Sequence, residues 1–217
     1  MTTTPAAHPP RFIVLEGIDG AGKSSQVEPL VAWLRERGRT VTTCRDPGAT
    51  PVGDAIREIL LDRADLHLAA TAEMLLYMAA RAQLVADVIR PSLARGEWVV
   101  SDRYMLANIV YQGHAGGLAP DAIREVGAVA TTGLEPDLVL VLDVDLETAA
   151  RRLARPLDKL ENRGDAFRSR LRAGYLAEAA RRPDDIVVVD AAGDPATVQA
   201  SLRAAIELRF PELQPHG

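Results

Sequence analysis

The chain has 217 residues, of which 47% are hydrophobic and 25% charged, so it can form one domain with a sizeable core. Its formal net charge of −5 argues against a general nucleic-acid-binding protein, because such binding depends on clustered Lys and Arg that neutralise many phosphates. The one cysteine, Cys44, excludes an intrachain disulfide and a cysteine-based zinc site, and is expected to be a small apolar residue at a strand end.

The first ten residues, MTTTPAAHPP, have neither a basic start nor an apolar core, so we expect no secretory signal. Residues 1–10 are predicted to form a disordered tail and residues 11–210 a single domain. No uncharged apolar run approaches ~18 residues, so no transmembrane helix is expected. These features favour a cytoplasmic protein.

Five short apolar runs bounded by turn residues predict strands, and helical periodicity separates them. The predicted strands are 12–15, 40–44, 98–101, 138–142 and 186–189. The predicted helices are 24–37, 52–61, 70–95, 120–131, 146–155, 166–181 and 195–208. This alternation indicates an α/β fold with a parallel five-stranded sheet and helices on both faces, in which ligands bind at the carboxyl ends of the strands.

The segment EGIDGAGKSS at 16–25 follows the first predicted strand and matches the phosphate-binding pattern G-x-x-x-x-G-K-[ST]. Glycines let backbone N–H groups converge on phosphate oxygens at the start of a helix. The pattern places Lys23 at the β/γ-phosphates of ATP and the Ser24 hydroxyl on Mg²⁺. The residues predicted to bind ATP are Gly17, Ile18, Asp19, Gly20, Ala21, Gly22, Lys23, Ser24 and Ser25.

A second polar segment, SDRYMLANIVYQG at 101–113, follows the third predicted strand. Asp102 ends that strand beside the phosphate loop, where a carboxylate can hold Mg²⁺ directly or through water. The guanidinium of Arg103 matches a phosphate bidentately. Asn108 and Tyr111 share one face of a helix and are placed to address a base edge and a sugar. Singly these residues are explained as a helix cap, an ion pair or core, but together at a strand end they predict a site.

A phosphate loop alone leaves open a kinase, a GTPase switch and an ATP-driven machine. A GTPase requires a guanine-reading N-K-x-D, which the sequence lacks, since DKLE at 158–161 is a different pattern. A kinase requires an acceptor site and cations around the transferred phosphoryl group, and the segment at 101–113 supplies both.

The chain resembles the bacterial thymidylate kinase family over residues 12–208. The resemblance is carried, in order, by EGIDGAGKSSQ, CRDPGATPVGDAIREILL, YMAARAQLV, SDRYMLANIVYQG, PDLVLVLDVD, LDKLENRGDAF and VVVDA. DRY followed by YQG is its most specific part. The resemblance implies a P-loop kinase fold with a short mobile lid at about 151–166, a homodimer, and transfer of the γ-phosphate of ATP to dTMP with Mg²⁺.

The same resemblance assigns residues to the acceptor nucleotide. Tyr77 matches the position where the family stacks an aromatic ring on thymine, and Arg81, on the same helix face, matches the arginine that bonds the base. Arg103 matches the clamp on the acceptor phosphate. Asn108 and Tyr111 match positions near the base and deoxyribose, where the tyrosine ring is a barrier to a 2′-hydroxyl.

Three further positions complete the predicted substrate site. Asp19 matches an acidic residue near the sugar 3′-hydroxyl and the acceptor. Arg57 matches an arginine near the acceptor phosphate, and Gln112 of the YQG segment belongs to the predicted substrate-binding set.

The chain departs from the family pattern in two segments. It reads RDPGAT at 45–50 where the family usually reads R-E-P-G-G-T, and Ala49 is strained if that turn requires a positive φ. The lid reads DKLE where relatives without a phosphate-loop arginine generally carry D-R-x-E. We expect Arg155 or Lys159 to supply the missing lid cation, with Arg155 favoured because Pro156 stiffens its neighbourhood.

Several interpretations remain open from the sequence. The charged segment 151–172 suits either a lid or a solvated helix face. Pro29 should kink or delay the first helix. The acceptor is alternatively dUMP or a related pyrimidine monophosphate, and a third possibility is a nucleotide-binding protein without turnover.

Overall fold

The computed structural model describes residues 9–63, 65–153 and 164–213, which include a parallel five-stranded sheet of order β2-β3-β1-β4-β5. The strands are β1 (Phe12–Glu16), β2 (Val41–Arg45), β3 (Trp98–Asp102), β4 (Leu138–Asp143) and β5 (Ile186–Asp190). Every predicted strand is present, and each ends one residue later than predicted. The added residues are all charged, because the hydrogen-bonded ladder continues beyond the last apolar side chain of each strand.

The helices agree with the prediction at most of their ends. They are α1 (Lys23–Glu36), α2 (Pro51–Arg57), α3 (Ala70–Leu84), α4 (Arg90–Ala94), α5 (Met105–Asn108), α6 (Pro120–Thr131), α7 (Leu146–Arg152), α8 (Asp165–Arg181) and α9 (Pro195–Arg209). Wider π-helical turns continue α2 through Glu58–Asp62, join α3 to α4 through Val85–Ile89, and follow α5 through Ile109–Ala115. The predicted helix 146–155 is shorter than expected, since α7 ends at Arg152.

The expectation that Pro29 delays the first helix is wrong, because α1 begins at Lys23 and continues past Pro29 to Glu36. Pro29 and Ser25 are both exposed, so water can satisfy the Ser25 carbonyl that Pro29 cannot reach with an N–H. Cys44 is buried near the end of β2, as predicted.

Both faces of the central strands are covered. All residues of β1 and the first five residues of β4 are buried, which requires helices on each side of the sheet. Helix α9 packs on α1 and β5, and α8 packs on β5 and the π-helical turn Ile109–Ala115. The parallel register pairs Leu15 with Asp102, so the phosphate loop and the DRY segment leave the sheet side by side.

Some predictions concern residues outside the described part of the chain. Residues 1–8 of the predicted tail lie outside it, as do residues 154–163 of the predicted lid with Arg155 and Lys159. Among the described residues, no helix combines the length and apolar character needed to cross a membrane.

Candidate active site

The phosphate loop joins β1 to α1 and has a shape that only glycine accepts at two of its positions. Gly17 and Gly20 have positive φ angles of 136° and 84°. A Cβ atom at Gly17 would lie 2.5 Å from the carbonyl oxygen of Leu142, and one at Gly20 would collide with the carbonyl of Ala149. The loop therefore lies directly against β4 and α7, which fixes its shape before any ligand binds.

Lys23 is buried beneath the loop. Its Nζ donates to the carbonyl oxygens of Gly17 and Ile18, both at 3.0 Å. Burial, together with the nearby charge of Arg103, lowers the pKa of Lys23 to about 8 against the opposing pull of Asp19. An anionic ligand at the loop would favour the charged form of this amine.

Ser24 and Asp102 meet where α1 begins and β3 ends. The Ser24 hydroxyl donates to Asp102 Oδ2 at 2.6 Å. Two oxygen atoms of this kind suit Mg²⁺, which takes one or two protein ligands and completes its octahedron with phosphates and water. The described residues contain no cluster of three or more His, Cys, Asp or Glu for a metal, so a cation here would depend on the nucleotide for further ligands.

Arg103 connects the phosphate loop to the π-helical turn Ile109–Ala115. Its Nη2 lies 2.5 Å from Asp19 Oδ1 and 3.0 Å from the Tyr111 hydroxyl, and its Nη1 donates to the Gly17 carbonyl at 3.1 Å. Its φ of 71° is in the left-handed region, which costs a non-glycine residue about 1–2 kcal/mol. A backbone bond from Arg103 N to Leu15 O, at 2.9 Å, holds it there.

Asp19 remains ionised within this group. Burial alone would raise its pKa, but the charges of Arg103 and Lys23 and a hydrogen bond from Tyr111 outweigh burial and hold the pKa of Asp19 well below its usual range. The Tyr111 hydroxyl donates to Asp19 Oδ2 at 2.7 Å. Burial raises the pKa of Tyr111 well above its usual value, so this hydroxyl keeps its proton.

Glu16, the last residue of β1, is a site residue that the sequence analysis missed. Its Oε1 accepts the backbone N–H groups of Tyr104 at 2.9 Å and Ala107 at 3.1 Å, and its Oε2 accepts the Tyr175 hydroxyl at 3.0 Å. It thereby caps α5 from a neighbouring strand. A carboxylate directly after an apolar strand and before a phosphate loop was the available signal.

Two cavities open at the carboxyl edge of the sheet and meet at shared residues. The larger, about 580 Å³, lies over the phosphate loop, and the smaller, about 110 Å³, lies between α2, α3 and α5. Both are lined by Asp19, Asp46, Arg57 and Arg103. The arrangement suits two ligands whose anionic ends meet at the junction of the cavities, where the charged residues Asp19, Arg57 and Arg103 lie.

Arg57 is half-buried, and its Nη1 donates to the Pro47 carbonyl at 2.9 Å.

The smaller cavity is lined by the residues predicted to hold a base. Tyr77, Arg81, Asn108, Tyr111 and Gln112 all lie in its wall. The side chain of Arg81 is almost wholly buried and is fully engaged in polar contacts. Its Nε pairs with Asp46 Oδ2, and its Nη1 donates to Asn108 Oδ1 at 2.8 Å. The helix predicted to bring Asn108 and Tyr111 together is the short α5 and the π-helical turn after it, and both residues face the same cavity.

The far end of the larger cavity is formed by residues that the sequence analysis did not assign to a ligand, although Arg152 falls at the start of the predicted lid. Arg152, at the end of α7, donates to the carbonyl oxygens of Ala191, Ala192 and Gly193 at 2.7 to 3.0 Å. Arg152, Ala191 and Gly193 line the cavity together with Pro195 and Val198. Only the fold reveals this grouping, since about forty residues separate Arg152 from its partners.

A parallel sheet with a phosphate loop at its carboxyl edge, and a second cavity joined to the first at two arginines, defines a P-loop kinase. The family model for thymidylate kinase matches residues 15–202. The chain belongs to the thymidylate kinase family.

Individual relatives agree with this assignment. A thymidylate kinase of Chromohalobacter salexigens is 46% identical over 206 residues, which cover 93% of this chain and 97% of the relative. One of Bifidobacterium longum is 42% identical over 199 residues, covering 90% of this chain and 97% of the relative. The crystal structure of thymidylate kinase from Ehrlichia chaffeensis superposes with a TM-score of 0.75 at 26% identity, covering 92% of this chain and 99% of that one.

Proposed function

We propose that the protein transfers the γ-phosphate of ATP to dTMP, giving ADP and dTDP. The observation that carries this proposal is the meeting of the two cavities at Asp19, Arg57 and Arg103. Two anions must approach in line for phosphoryl transfer, and arginines at their meeting point offset the repulsion between them.

The donor nucleotide binds in the larger cavity. Its phosphates lie on the loop 17–25, where Lys23 neutralises charge, and its nucleoside extends toward Arg152 and Gly193. Ser24 and Asp102 would hold Mg²⁺, directly or through water. Bound there, the ion would supply positive charge that offsets the negative charge developing on the phosphates during transfer.

The acceptor nucleotide binds in the smaller cavity. Arg57 and Arg103 hold its phosphate, and Asp19 lies near the sugar and the acceptor phosphate. Tyr77 stacks on the base, since stacking and edge hydrogen bonds are how proteins hold an isolated base. Arg81, Asn108 and Gln112 address the base edge, and the Tyr111 ring excludes a 2′-hydroxyl.

A lid cation completes the transfer site. We retain Arg155 and Lys159 as the candidates, with Arg155 favoured. Arg152 supports the proposal by position, because Arg152 and Leu153 line the donor cavity and Arg155 follows two residues later in the sequence.

The protein is proposed to act as a homodimer in the cytoplasm, where ATP and nucleoside monophosphates occur. Three large hydrophobic side chains are exposed on α2, α3 and α6: Val52, Leu75 and Val129. Helices α2 and α3 pack on each other, and α3 packs on α6, so these side chains lie on adjoining helices. The net charge of −5 supports small-molecule substrates rather than nucleic acid.

The test is ADP release from Mg²⁺-ATP with dTMP, dUMP, dCMP or UMP, or with no acceptor. We expect strong stimulation by dTMP, weaker stimulation by dUMP and none by UMP. Stimulation by a different acceptor would keep the kinase and overturn the base assignment. ATP binding without acceptor-dependent ADP release would indicate a nucleotide-binding protein without turnover.

A further inference from the structure

The hydroxyl of Tyr175 lies between two buried groups of opposite charge. Tyr175 belongs to α8 and is 2% exposed. Its hydroxyl accepts a hydrogen bond from Arg103 Nη1 at 3.0 Å and donates one to Glu16 Oε2 at 3.0 Å. The two charged atoms that it bridges, Arg103 Nη1 and Glu16 Oε2, are 3.9 Å apart.

The two charged groups fix the direction of these bonds. A guanidinium only donates hydrogen bonds, and an ionised carboxylate only accepts them. The hydroxyl must therefore accept from Arg103 and direct its single proton at Glu16. The separation of 3.9 Å exceeds by about 1 Å the length of a direct hydrogen bond between an arginine and a carboxylate.

The other partners of Arg103 do not replace the hydroxyl. Asp19 and Tyr111 contact Nη2, whereas Nη1 donates to the neutral carbonyl of Gly17 in addition to Tyr175. Without the hydroxyl, an N–H group of Nη1 and the Oε2 atom of Glu16 would each lose a hydrogen bond. A buried charged group that loses its partner is costly, so the guanidinium would be drawn toward Glu16.

Such a movement would take the guanidinium away from the cavities. Arg103 lines both cavities, whereas Glu16 and Tyr175 line neither of them. Glu16 is fully buried on β1, so an arginine that contacts it directly is turned toward the interior. The position of Arg103 at the junction of the cavities thus depends on the separation that the hydroxyl maintains.

We propose that Tyr175 is a positioning residue for the acceptor phosphate: its hydroxyl separates Arg103 from Glu16 and so keeps the guanidinium at the junction of the two cavities. This inference rests on the proposed role of Arg103 in holding that phosphate. It predicts that the hydroxyl affects ligands that carry a phosphate, and that its effect depends on the charge of Glu16.

The test measures binding of dTMP and of thymidine, which lacks the phosphate, by calorimetry at pH 8, so it does not require turnover. Tyr175→Phe keeps the buried ring and removes the hydroxyl. We expect the affinity for dTMP to fall at least about tenfold, the scale of a hydrogen bond to a charged group, and the affinity for thymidine to stay unchanged.

Tyr104→Phe is the matched control. The Tyr104 ring is also buried, and its hydroxyl donates to the Leu134 carbonyl at 3.1 Å. Tyr104 lines neither of the two cavities, so loss of this hydroxyl should change the affinity for neither ligand.

A second background tests the dependence on charge. Two backbone N–H groups hold Oε1 of residue 16, so in Glu16→Gln the amide oxygen stays there and the amide nitrogen faces Tyr175. An amide nitrogen does not attract the guanidinium of Arg103. Adding Tyr175→Phe to Glu16→Gln should therefore lower the affinity for dTMP by less than about threefold relative to Glu16→Gln alone.

Other results would overturn the inference. Unchanged dTMP affinity in Tyr175→Phe, or an equal loss of dTMP and thymidine affinity, would mean that the hydroxyl does not position a phosphate-binding group. An equal loss of dTMP affinity in both backgrounds would mean that the hydroxyl does not act by separating the two charges. A wild-type protein that binds dTMP no more tightly than thymidine would also contradict the inference.

ADP release measured in parallel tests the kinase separately. A protein that binds dTMP through its phosphate but shows no acceptor-dependent ADP release would contradict the proposed function, while the binding data would still decide the role of Tyr175.

Discussion

Arg103 and Asp19 form an ion pair, with 2.5 Å between Nη2 and Oδ1, that joins the DRY segment to the phosphate loop. The arginine also donates to the Tyr111 hydroxyl and the Gly17 carbonyl. Its guanidinium therefore contacts three groups at once, which a lysine cannot reproduce with a single ammonium.

Arg103→Lys is accordingly expected to lower kcat/KM for dTMP by about 100-fold, the scale for losing one oriented donor at a reacting group. Arg95→Lys is the control, because Arg95 lies before β3, at the other end from the site, and pairs with Glu97 at the surface. Steady-state kinetics of both variants checks this. Equal losses in the two would show that the arginine fork at position 103 has no special role.

Lys23 should take up a proton when ATP binds. With a pKa of about 8 in the free protein, roughly three quarters of Lys23 is neutral at pH 8.5, and bound phosphates favour the charged form. Calorimetry in two buffers of different ionisation enthalpy should show greater proton uptake at pH 8.5 than at pH 7. Lys23→Arg, which stays charged, should abolish the difference, and uptake that is the same at both pH values would contradict the expectation.

Ala49→Gly should stabilise the protein. Ala49 has a φ of 62° and is exposed, so its methyl group adds strain without packing. Glycine relieves the strain of the left-handed backbone, but it also gives the unfolded chain more conformational entropy, which opposes this gain. The net effect is an increase of about 0.5–1 kcal/mol in the free energy of unfolding. Ala72 in α3 is also exposed but helical, so Ala72→Gly should lower the free energy of unfolding by about 1 kcal/mol. Urea unfolding measures both variants. A change of the same sign in the two would contradict the prediction.

The Glu16→Gln variant should gain stability relative to the wild-type protein as pH rises. Burial raises the pKa of Glu16 despite the opposing charge of Arg103 and the N–H group of Tyr104. A raised pKa in the folded state means that stability is highest while the carboxyl is protonated, and that it falls as pH increases from the ordinary value of 4.5 through the higher folded value. Glutamine removes this dependence.

Urea unfolding of the wild type and Glu16→Gln at pH 5, 6, 7 and 8 measures the difference. The gap between them should widen with pH, whereas Glu125→Gln should differ from the wild type by a constant amount. A constant gap for Glu16→Gln would mean that its carboxylate is not destabilised by burial.

The strands and the phosphate loop could be predicted from the sequence because their signals are local. The apolar run, Gly17 and Lys23, which together specify the strand and the loop, lie within about a dozen residues of one another. The acceptor residues were assigned by resemblance to a family, and the structure brings Tyr77, Arg81, Asn108 and Gln112 to one cavity.

Contacts between distant segments could not be predicted in this way. Glu16 caps α5 across 88 residues of chain, and Arg81 pairs with Asp46 across 35. The π-helical turn Ile109–Ala115 also escaped prediction, because periodicity rules assume 3.6 residues per turn and a wider turn shifts the faces.

The position of Glu16 affects how the two cavities are held relative to each other. Its backbone leads directly into the phosphate loop, and its side chain anchors α5, whose residues line the smaller cavity. The distance between the two cavities is thus set in part by one residue of a fully buried strand. We expect movement of surface segments to change access to the cavities more than it changes the distance between them.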